Sequence, residues 1–455
     1  MSLKYLYLLV TLLSAAARSQ RKLRADISVR PCNCSARVYV YDLEPPLTDP
    51  GYGAAYNPFR RRPDTSGPWD PNETVVHGPS YMSAHALTSI LEYRLRRSCC
   101  RTTDPEEADL FFAPIAPRPR WGNKYRALCE SGNLSATEVR RQLRHARDPG
   151  RACRHFVSVP HQGNFKQCGD WFAHPKPPYE LMMRVGYLHS ITPSLERRVR
   201  ADALNSRAQP SHLWADLDKV STERSSEYPN LISVPYPSVH WSSGRSRAGI
   251  SPPWERSHDS RPHPPTMLFV GSVTHGDVLV RALVAKQCEA HPRCTVSPWR
   301  GGASLLDKQR ATFCLEPSGD TPDRKSVSDD VAMGCIPVFF SVISSGLAPW
   351  FWAAAGSPGE GYVLIEREPF LVGNVTLESE LGRMPSTRVA ALGRAVTRVA
   401  HGFQYSIDDD PGDAVDVLLT GLHKMADAQC PHRRISRPIS NTSNSLERKP
   451  GYHVL

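Results

Sequence analysis

From Thr266 onward, short apolar runs alternate with stretches of helical period, and that alternation limits the fold more than any other feature of the chain. Thr266-Met-Leu-Phe-Val270 reads as a strand stopped by Gly271, and Val278–Cys288 as a helix. Thr312-Phe-Cys-Leu315 then reads as a strand, Pro322–Met333 as a helix and Cys335–Phe340 as a strand. A βαβαβ order of this kind favours a parallel sheet with helices packed on its faces. Arg388–Val399 and Ala414–Ala426 carry the helical period that completes the unit.

The N-terminal half carries the same signal more sparsely. Ala36-Arg-Val-Tyr-Val-Tyr-Asp42 reads as a strand that Pro45-Pro46 turns away. Ser80–Arg97 has apolar residues at Met82, Leu87, Ile90, Leu91 and Leu95, a helical period, and Asp104–Pro114 reads as a helix start feeding a buried strand. Further strands are expected at Arg154–His161 and Leu231–Tyr236. Ser242–Pro265 is rich in Pro, Ser, Arg and Gly without apolar period, which marks a linker. The expected organisation is therefore α/β throughout. Residues 1–17 form a signal peptide or signal anchor and 18–35 a stem; 36–241 is a first α/β domain, 242–265 a linker, 266–429 a second α/β domain and 430–455 a polar tail.

The first residues bear on compartment. Tyr5–Ala17 is apolar, follows one lysine and ends in Ala15-Ala16-Ala17, as a secretory signal does. At thirteen residues it is shorter than the roughly 18 apolar residues that span a bilayer, so a polytopic membrane protein is excluded. Whether the segment is cleaved or retained as an anchor stays open. Twelve cysteines and sequons at Asn33, Asn72, Asn133, Asn374 and Asn441 agree with a secretory route, and the cysteines are expected to be largely paired. No two paired C-x-x-C clusters of a structural zinc site are present. The net charge of +11 is unevenly placed: Pro265–Lys424 holds 14 Lys and Arg against 18 Asp and Glu, so the excess lies in the first half and the stem. With a secretory signal, nucleic acid is not an expected partner; an anionic acceptor and a merely solvated basic surface both fit.

The densest chemistry lies at residues 312–340. After the strand ending at Leu315, Glu316-Pro-Ser-Gly-Asp-Thr-Pro322 forms a turn that opens a helix, with Thr321 as the expected N-cap and Pro322 as first helical residue. Unpaired amides at Ser318, Gly319, Asp320 and Thr321, with Arg324 and Lys325 in the first turn, make an anion site sized for a diphosphate. Asp329 and Asp330 follow one to two turns later, where a carboxylate can accept from ribose hydroxyls. An ordinary capped helix with a solvated acidic face is the competing reading.

The run FCLEPSGDTPDRKSVSDDVAMGCIPVFF (Phe313–Phe340) resembles the C-terminal signature of the exostosin glycosyltransferases, in which an FCL-x-P-x-GD turn leads through a helix into GCIPV. RVYVYDLEPP (Arg37–Pro46), RTTDPEEADLFFAP (Arg101–Pro114), the RHF strand at Arg154 and SVPYPS (Ser233–Ser238) resemble that family's strand starts in the same order. Phe269-Val-Gly271 and Val280-Arg281 resemble its strand, glycine and arginine elements. The resemblance implies a GT-B-like fold: two Rossmann-like domains facing a cleft, with the donor held by the second and the acceptor on the first. It implies a Golgi transferase, lumenal on a single-pass type II anchor, that moves sugar from a nucleotide-diphosphate donor to a polysaccharide or glycoprotein glycan. Gly271 and Arg281 would then face the donor phosphates beside the turn at Ser318–Lys325, with Asp329 at the family's acidic position.

The chain also departs from that pattern. An ungapped alignment puts Ser326 where many members have Arg; Arg324 lies two residues earlier, which is about 200° around a helix. Leu231 replaces an acidic residue, and Ala348-Pro-Trp350 poorly represents a later Pro-Phe element. Family members commonly invert the anomeric centre, which needs a base for the acceptor hydroxyl and charge stabilisation for the departing diphosphate. His161, after its strand, is the candidate base, with Asp170 or Asp109 as substitutes. No DxD-like pair follows a strand, so no metal is expected and the nucleotide sugar serves as co-substrate; Asp408-Asp-Asp410 reads as a solvated cluster. Two other readings stand beside the transferase. One is a catalytically weak member that binds a glycan or joins another glycosyltransferase; the other, which leaves the GDTP turn unexplained, is a secreted polyanion-binding module.

Overall fold

A computed structural model of the chain describes residues 34–44, 47, 76–77, 87–115, 136–159, 182–187, 231–240, 252–255, 265–300, 302–319, 324–346, 348–355, 359–406 and 410–430. The first sheet contains β1 (Val38–Val40), β2 (Arg101–Thr102), β3 (Leu110–Ala113), β4 (His155–Val159), β5 (Met183–Gly186) and β6 (Leu231–Ser233), in spatial order β2-β1-β3-β4-β5-β6. The second contains β7 (Met267–Val270), β8 (Cys294–Ser297), β9 (Phe313–Glu316), β10 (Ile336–Phe339) and β11 (Val363–Leu364), in order β8-β7-β9-β10-β11. Every ladder in both sheets is parallel. The chain is thus built on two α/β units, as its alternation of strands and helices requires.

Parallel strands covered on both faces need continuous apolar runs, and the residues supply them. Met267, Leu268, Phe269 and Val270 are all buried, as are Leu110, Phe111, Phe112 and Ala113. Helix α1 (Leu87–Arg97) lays Leu87, Ile90, Leu91 and Leu95 on the first sheet, the i, i+3, i+4, i+8 stripe read from the sequence. In the second unit α2 (Val278–Glu289), α3 (Gly302–Arg310), α4 (Lys325–Ala332) and α5 (Ser386–Ala400) make the covering layers, whereas α6 (Ala414–Gln429), expected from the sequence to complete this unit, packs against β3 of the first sheet. Burying a Phe or Leu of this kind contributes about 1.5–3 kcal/mol.

Some expectations need correction. The helix predicted over Pro322–Met333 occupies Lys325–Ala332, with Arg324 at its N-cap. Asp104–Glu107 is a turn rather than a helix start, because the Asp104 carboxylate takes the Glu106 amide at 2.8 Å and competes with helical pairing. Strand β8 and helix α3 escaped the sequence reading: β8 is an edge strand of four half-polar residues. Within the expected linker, Pro253–Glu255 forms a single turn that buries Trp254 and offers its carbonyl to Thr397 Oγ1 at 3.0 Å.

The two units are tied along one seam. The SVPYPS segment supplies three contacts: Ser233 Oγ accepts from Ala348 N at 2.6 Å, Pro235 O accepts from Tyr405 OH at 2.8 Å, and Ser238 Oγ donates to Asp329. Arg94 of α1 reaches Asp413, the N-cap of α6, in a buried ion pair. Cys430, at the end of α6, pairs with Cys153 of the first unit. Disulfides also join Cys34 to Cys100, Cys288 to Cys294 and Cys314 to Cys335, and no described cysteine is free. Asp410 is buried at the foot of α6, so it does not belong to a solvated cluster.

Candidate functional site

The second sheet reverses its winding direction beside β7: the chain leaves β7 for β8 on one side and crosses back to β9 on the other. Connections diverge there, and the crevice they leave outside the carboxyl ends of the strands is where open α/β sheets bind ligands. Gly271 follows β7 and Pro317–Gly319 follows β9. Two predicted residues converge on this point. A Cβ placed on Gly271 would lie 2.6 Å from Arg281 Nη2 and 3.7 Å from Arg324 Nη2, so glycine leaves the space that both guanidiniums use.

Arg281 is held from three sides, by Ser272 O at 2.6 Å, Pro317 O at 3.2 Å and Ser318 O at 3.3 Å. The loop after β7 closes against the loop after β9: Asp277 N donates to Ser318 O at 3.1 Å. Gly276, at φ 79°, would drive a Cβ to 2.5 Å from Ser318 O. Asp277 also caps α2 through Val280 N and pairs with Arg367 at 2.7 Å. Gly276 and Asp277 were missed by the sequence reading, although an Asp one residue before an apolar helix is an N-cap signal.

Arg324 sits ahead of α4 with extended backbone angles, φ −139° and ψ 136°, so helical rotation does not govern its direction. Its Nη1 reaches Glu316 at 2.6 Å and Pro317 O at 3.1 Å. Ser326 stands against the same carboxylate, Oγ to Glu316 Oε1 at 2.6 Å, and takes a hydrogen bond from Lys308 Nζ at 2.7 Å. Lys308, buried and unremarked in the sequence, also contacts Glu316 at 3.3 Å and Asp330. Thus the position where an Arg was expected is a serine, and a lysine from α3 brings a cation there.

The charge states follow from burial and neighbours. Burial alone would raise the Glu316 carboxyl, but Arg324 and Lys308 outweigh it and pull the group down to about 2. Burial and the Glu316 charge push Asp330 well above the ordinary carboxyl range. Burial opposes charge on Lys308, yet Asp330, Glu316 and Asp329 more than compensate and shift the ammonium upward. Lys308 thus lies between the Glu316 and Asp330 carboxyls, Arg324 faces Glu316, and Arg281 adds a further guanidinium beside them where the loops open.

Ser318 and Gly319 line the crevice, with Ser318 Oγ 3.3 Å from Ser344 Oγ. Asp320 and Thr321 lie outside the described residues, and the N-cap expected at Thr321 belongs to Arg324, because the helix begins three residues later than Pro322. Asp329 is buried, and Oδ1 is taken by Lys325 Nζ at 2.6 Å and by Ser238. His161 and Asp170 lie outside the described residues. Asp109 precedes β3 at the amino end of the sheet, where it accepts Arg37 N at 2.8 Å, so it stands at the wrong end for an acceptor base.

No family model matches the chain. It is similar to the probable xyloglucan galactosyltransferase GT17 of Arabidopsis thaliana, with 23% identity over 76% of this chain and 72% of that protein. The xyloglucan galactosyltransferase XLT2 of the same plant is 24% identical over 74% of this chain and 62% of its own length. The xyloglucan-specific galacturonosyltransferase 1 is 29% identical over 28% of this chain and 20% of that one. Among solved structures, the GtfA/B complex aligns at 10% identity and a TM-score of 0.32, over 64% of this chain and 61% of that chain.

Proposed function

We propose that this chain is an exostosin-type glycosyltransferase with a GT-B-like fold. It transfers a sugar from a nucleotide-diphosphate donor to a polysaccharide or glycoprotein glycan, with inversion, in the lumen of the Golgi or another secretory compartment. The observation that carries the reading is the convergence of Arg281 and Arg324 on Gly271 at the reversal point of the second sheet. Two buried-side guanidiniums in excess over one carboxylate suit a diphosphate, both bound in the donor and released as the leaving group. The names of the relatives make xyloglucan-type glucan the first acceptor to test. The donor phosphates would take the loops at Gly271 and Ser318–Gly319, and the acceptor the basic first unit. His161 is the proposed base, with Asp170 as its alternative, and turnover in the presence of a chelator tests the expectation that no metal is needed. Retention of Tyr5–Ala17 would anchor the protein; among the described residues, no helix is long and apolar enough to cross a membrane.

Calorimetric titration with a panel of nucleoside diphosphates tests the reading. The unaltered protein is expected to bind one of them. Arg324→Ala and Arg281→Ala are each expected to weaken that binding roughly 10- to 100-fold, since a hydrogen bond to a charged group contributes about 1.5–3 kcal/mol. A protein that binds no diphosphate is not a transferase of this kind. Binding without sugar transfer to any glycan would leave a partner or glycan-binding subunit.

A further inference from the structure

Among the described residues, the large apolar side chains most open to solvent are Val273, Val278, Leu279, Trp299 and Val372. The first four are not scattered. Val273 lies in the loop after β7, Val278 and Leu279 open the helix that this loop feeds, and Trp299 follows β8. All four follow the carboxyl ends of β7 and its edge neighbour β8, and the arginine cluster adjoins them where β7 meets β9. Exposed apolar side chains gathered on one edge, beside two converging guanidiniums, describe a ligand that is anionic at one end and apolar at the other.

Trp299 has the more specific geometry. It is 43% exposed, yet its ring is not loose: Lys325 Nζ lies 5.6 Å from the ring centroid, and the same ammonium is anchored on Asp329 at 2.6 Å. Lys325 adjoins Arg324 in sequence and opens α4. On the other side, Gly271 N donates to Ser297 O at 3.0 Å, which joins the base of the Trp299 loop directly to the glycine flanked by the two arginines. Trp299 thus lies two residues beyond the backbone partner of Gly271, past the end of the strand next to the one that ends at the arginines.

Resting on the donor reading above, we infer that Trp299 is the platform on which the donor's nucleobase stacks, with Lys325 fixing the ring. A planar base with a π face is the ligand chemistry that fits, because stacking on an aromatic ring needs no particular hydrogen-bond pattern. Sugar rings also stack on tryptophan, but Trp299 stands on the donor unit beside the phosphate cluster rather than on the first unit.

Calorimetry on the full chain with two probes separates the inference from its premise: the best-bound nucleoside diphosphate and inorganic pyrophosphate. In the unaltered protein the nucleoside diphosphate is expected to bind more tightly than pyrophosphate. Trp299→Ala is expected to weaken the nucleoside diphosphate roughly tenfold or more, leave pyrophosphate unchanged and so remove the difference; Trp299→Phe is expected to restore most of it. Unchanged nucleoside diphosphate affinity in Trp299→Ala would overturn the inference, as would an equal loss for both probes or an effect confined to the acceptor KM. Failure of the unaltered protein to bind either probe would instead overturn the donor site itself.

Discussion

The two sheets are wound alike and end differently. In each, the first strand lies between the second and the third, so each has a reversal point beside it. The residue that follows the first strand is Tyr41 in the first unit and Gly271 in the second. Tyr41 is buried, and its hydroxyl meets His155 Nε2 at 2.8 Å and the His145 amide at 3.2 Å. His155 stacks on Phe111 at 4.5 Å, with Nδ1 2.7 Å from Arg151 O. Since a carbonyl can only accept, Nδ1 carries the proton, Nε2 accepts from Tyr41, and the Tyr41 oxygen accepts from His145; every polar group is satisfied. Gly271 leaves the equivalent place to two guanidiniums. Shared topology thus produces a closed aromatic core in one unit and a crevice lined by two guanidiniums in the other, and one residue position separates them.

Truncation at Tyr41 tests the closed side and has the largest expected effect. Tyr41→Ala removes a buried aromatic ring and leaves His155 Nε2 without a donor, so reversible urea unfolding under non-reducing conditions should show a loss of about 3–5 kcal/mol. Diphosphate affinity of the folded variant should be unchanged. A loss of affinity with little loss of stability would make Tyr41 part of a second ligand site and break the contrast.

The second test is the charge of His155. Full burial lowers its pKa from 6.5 to about 3, so the folded state keeps it neutral where the unfolded state binds a proton. Its contribution to stability is complete above pH 6.5 and declines as pH falls towards 3, because only the unfolded chain takes up the proton in that window. Between pH 8 and 5 the decline amounts to about 2 kcal/mol, the slope approaching about 1.36 kcal/mol per unit below pH 6.5. Glu316, lowered from 4.5 to about 2, acts below this window. His155→Gln should be less steep by that amount over the same range. An equal slope would mean that the folded protein protonates His155, and the first unit would then hold a buried cation as the second does.

Most of this contrast was legible in the sequence on the second sheet and little of it on the first. β7, α2, β9 and β10 are strongly periodic or continuously apolar, so the pattern itself sets Gly271, Arg281 and Arg324 at strand ends and helix starts. Lys308 was invisible because α3 is short and mostly polar, and nothing local marks a lysine whose partners, Glu316 and Asp330, lie on two other elements. The direction of Arg324 is hidden because Pro322 signals a helix start; outside the helix its side chain is directed by Glu316 instead. Nothing local in the sequence shows that Asp329 Oδ1 accepts from Ser238, which comes from a segment 91 residues away. His155 was read only as part of a strand, since its burial depends on Tyr41 and Phe111, which only the folded sheet brings together.

Gly271 tests the open side with the smallest expected effect. Its φ of 153° and the 2.6 Å approach of Arg281 Nη2 mean that even a methyl group displaces that guanidinium. Arg281 cannot yield without giving up its bonds to Ser272, Pro317 and Ser318 carbonyls, which set the distance between the two loops. Gly271→Ala should therefore weaken pyrophosphate binding roughly tenfold, about 1.4 kcal/mol. In thermal unfolding it should cost no more than the about 1–3 kcal/mol of an overpacked site. Gly271→Ala combined with Arg281→Ala relieves the contact, so the double variant should bind no worse than Arg281→Ala alone. If the two losses add instead, the alanine acts on the ligand directly or through Arg324, and the small residue after β7 serves the phosphate itself rather than the arginine that faces it.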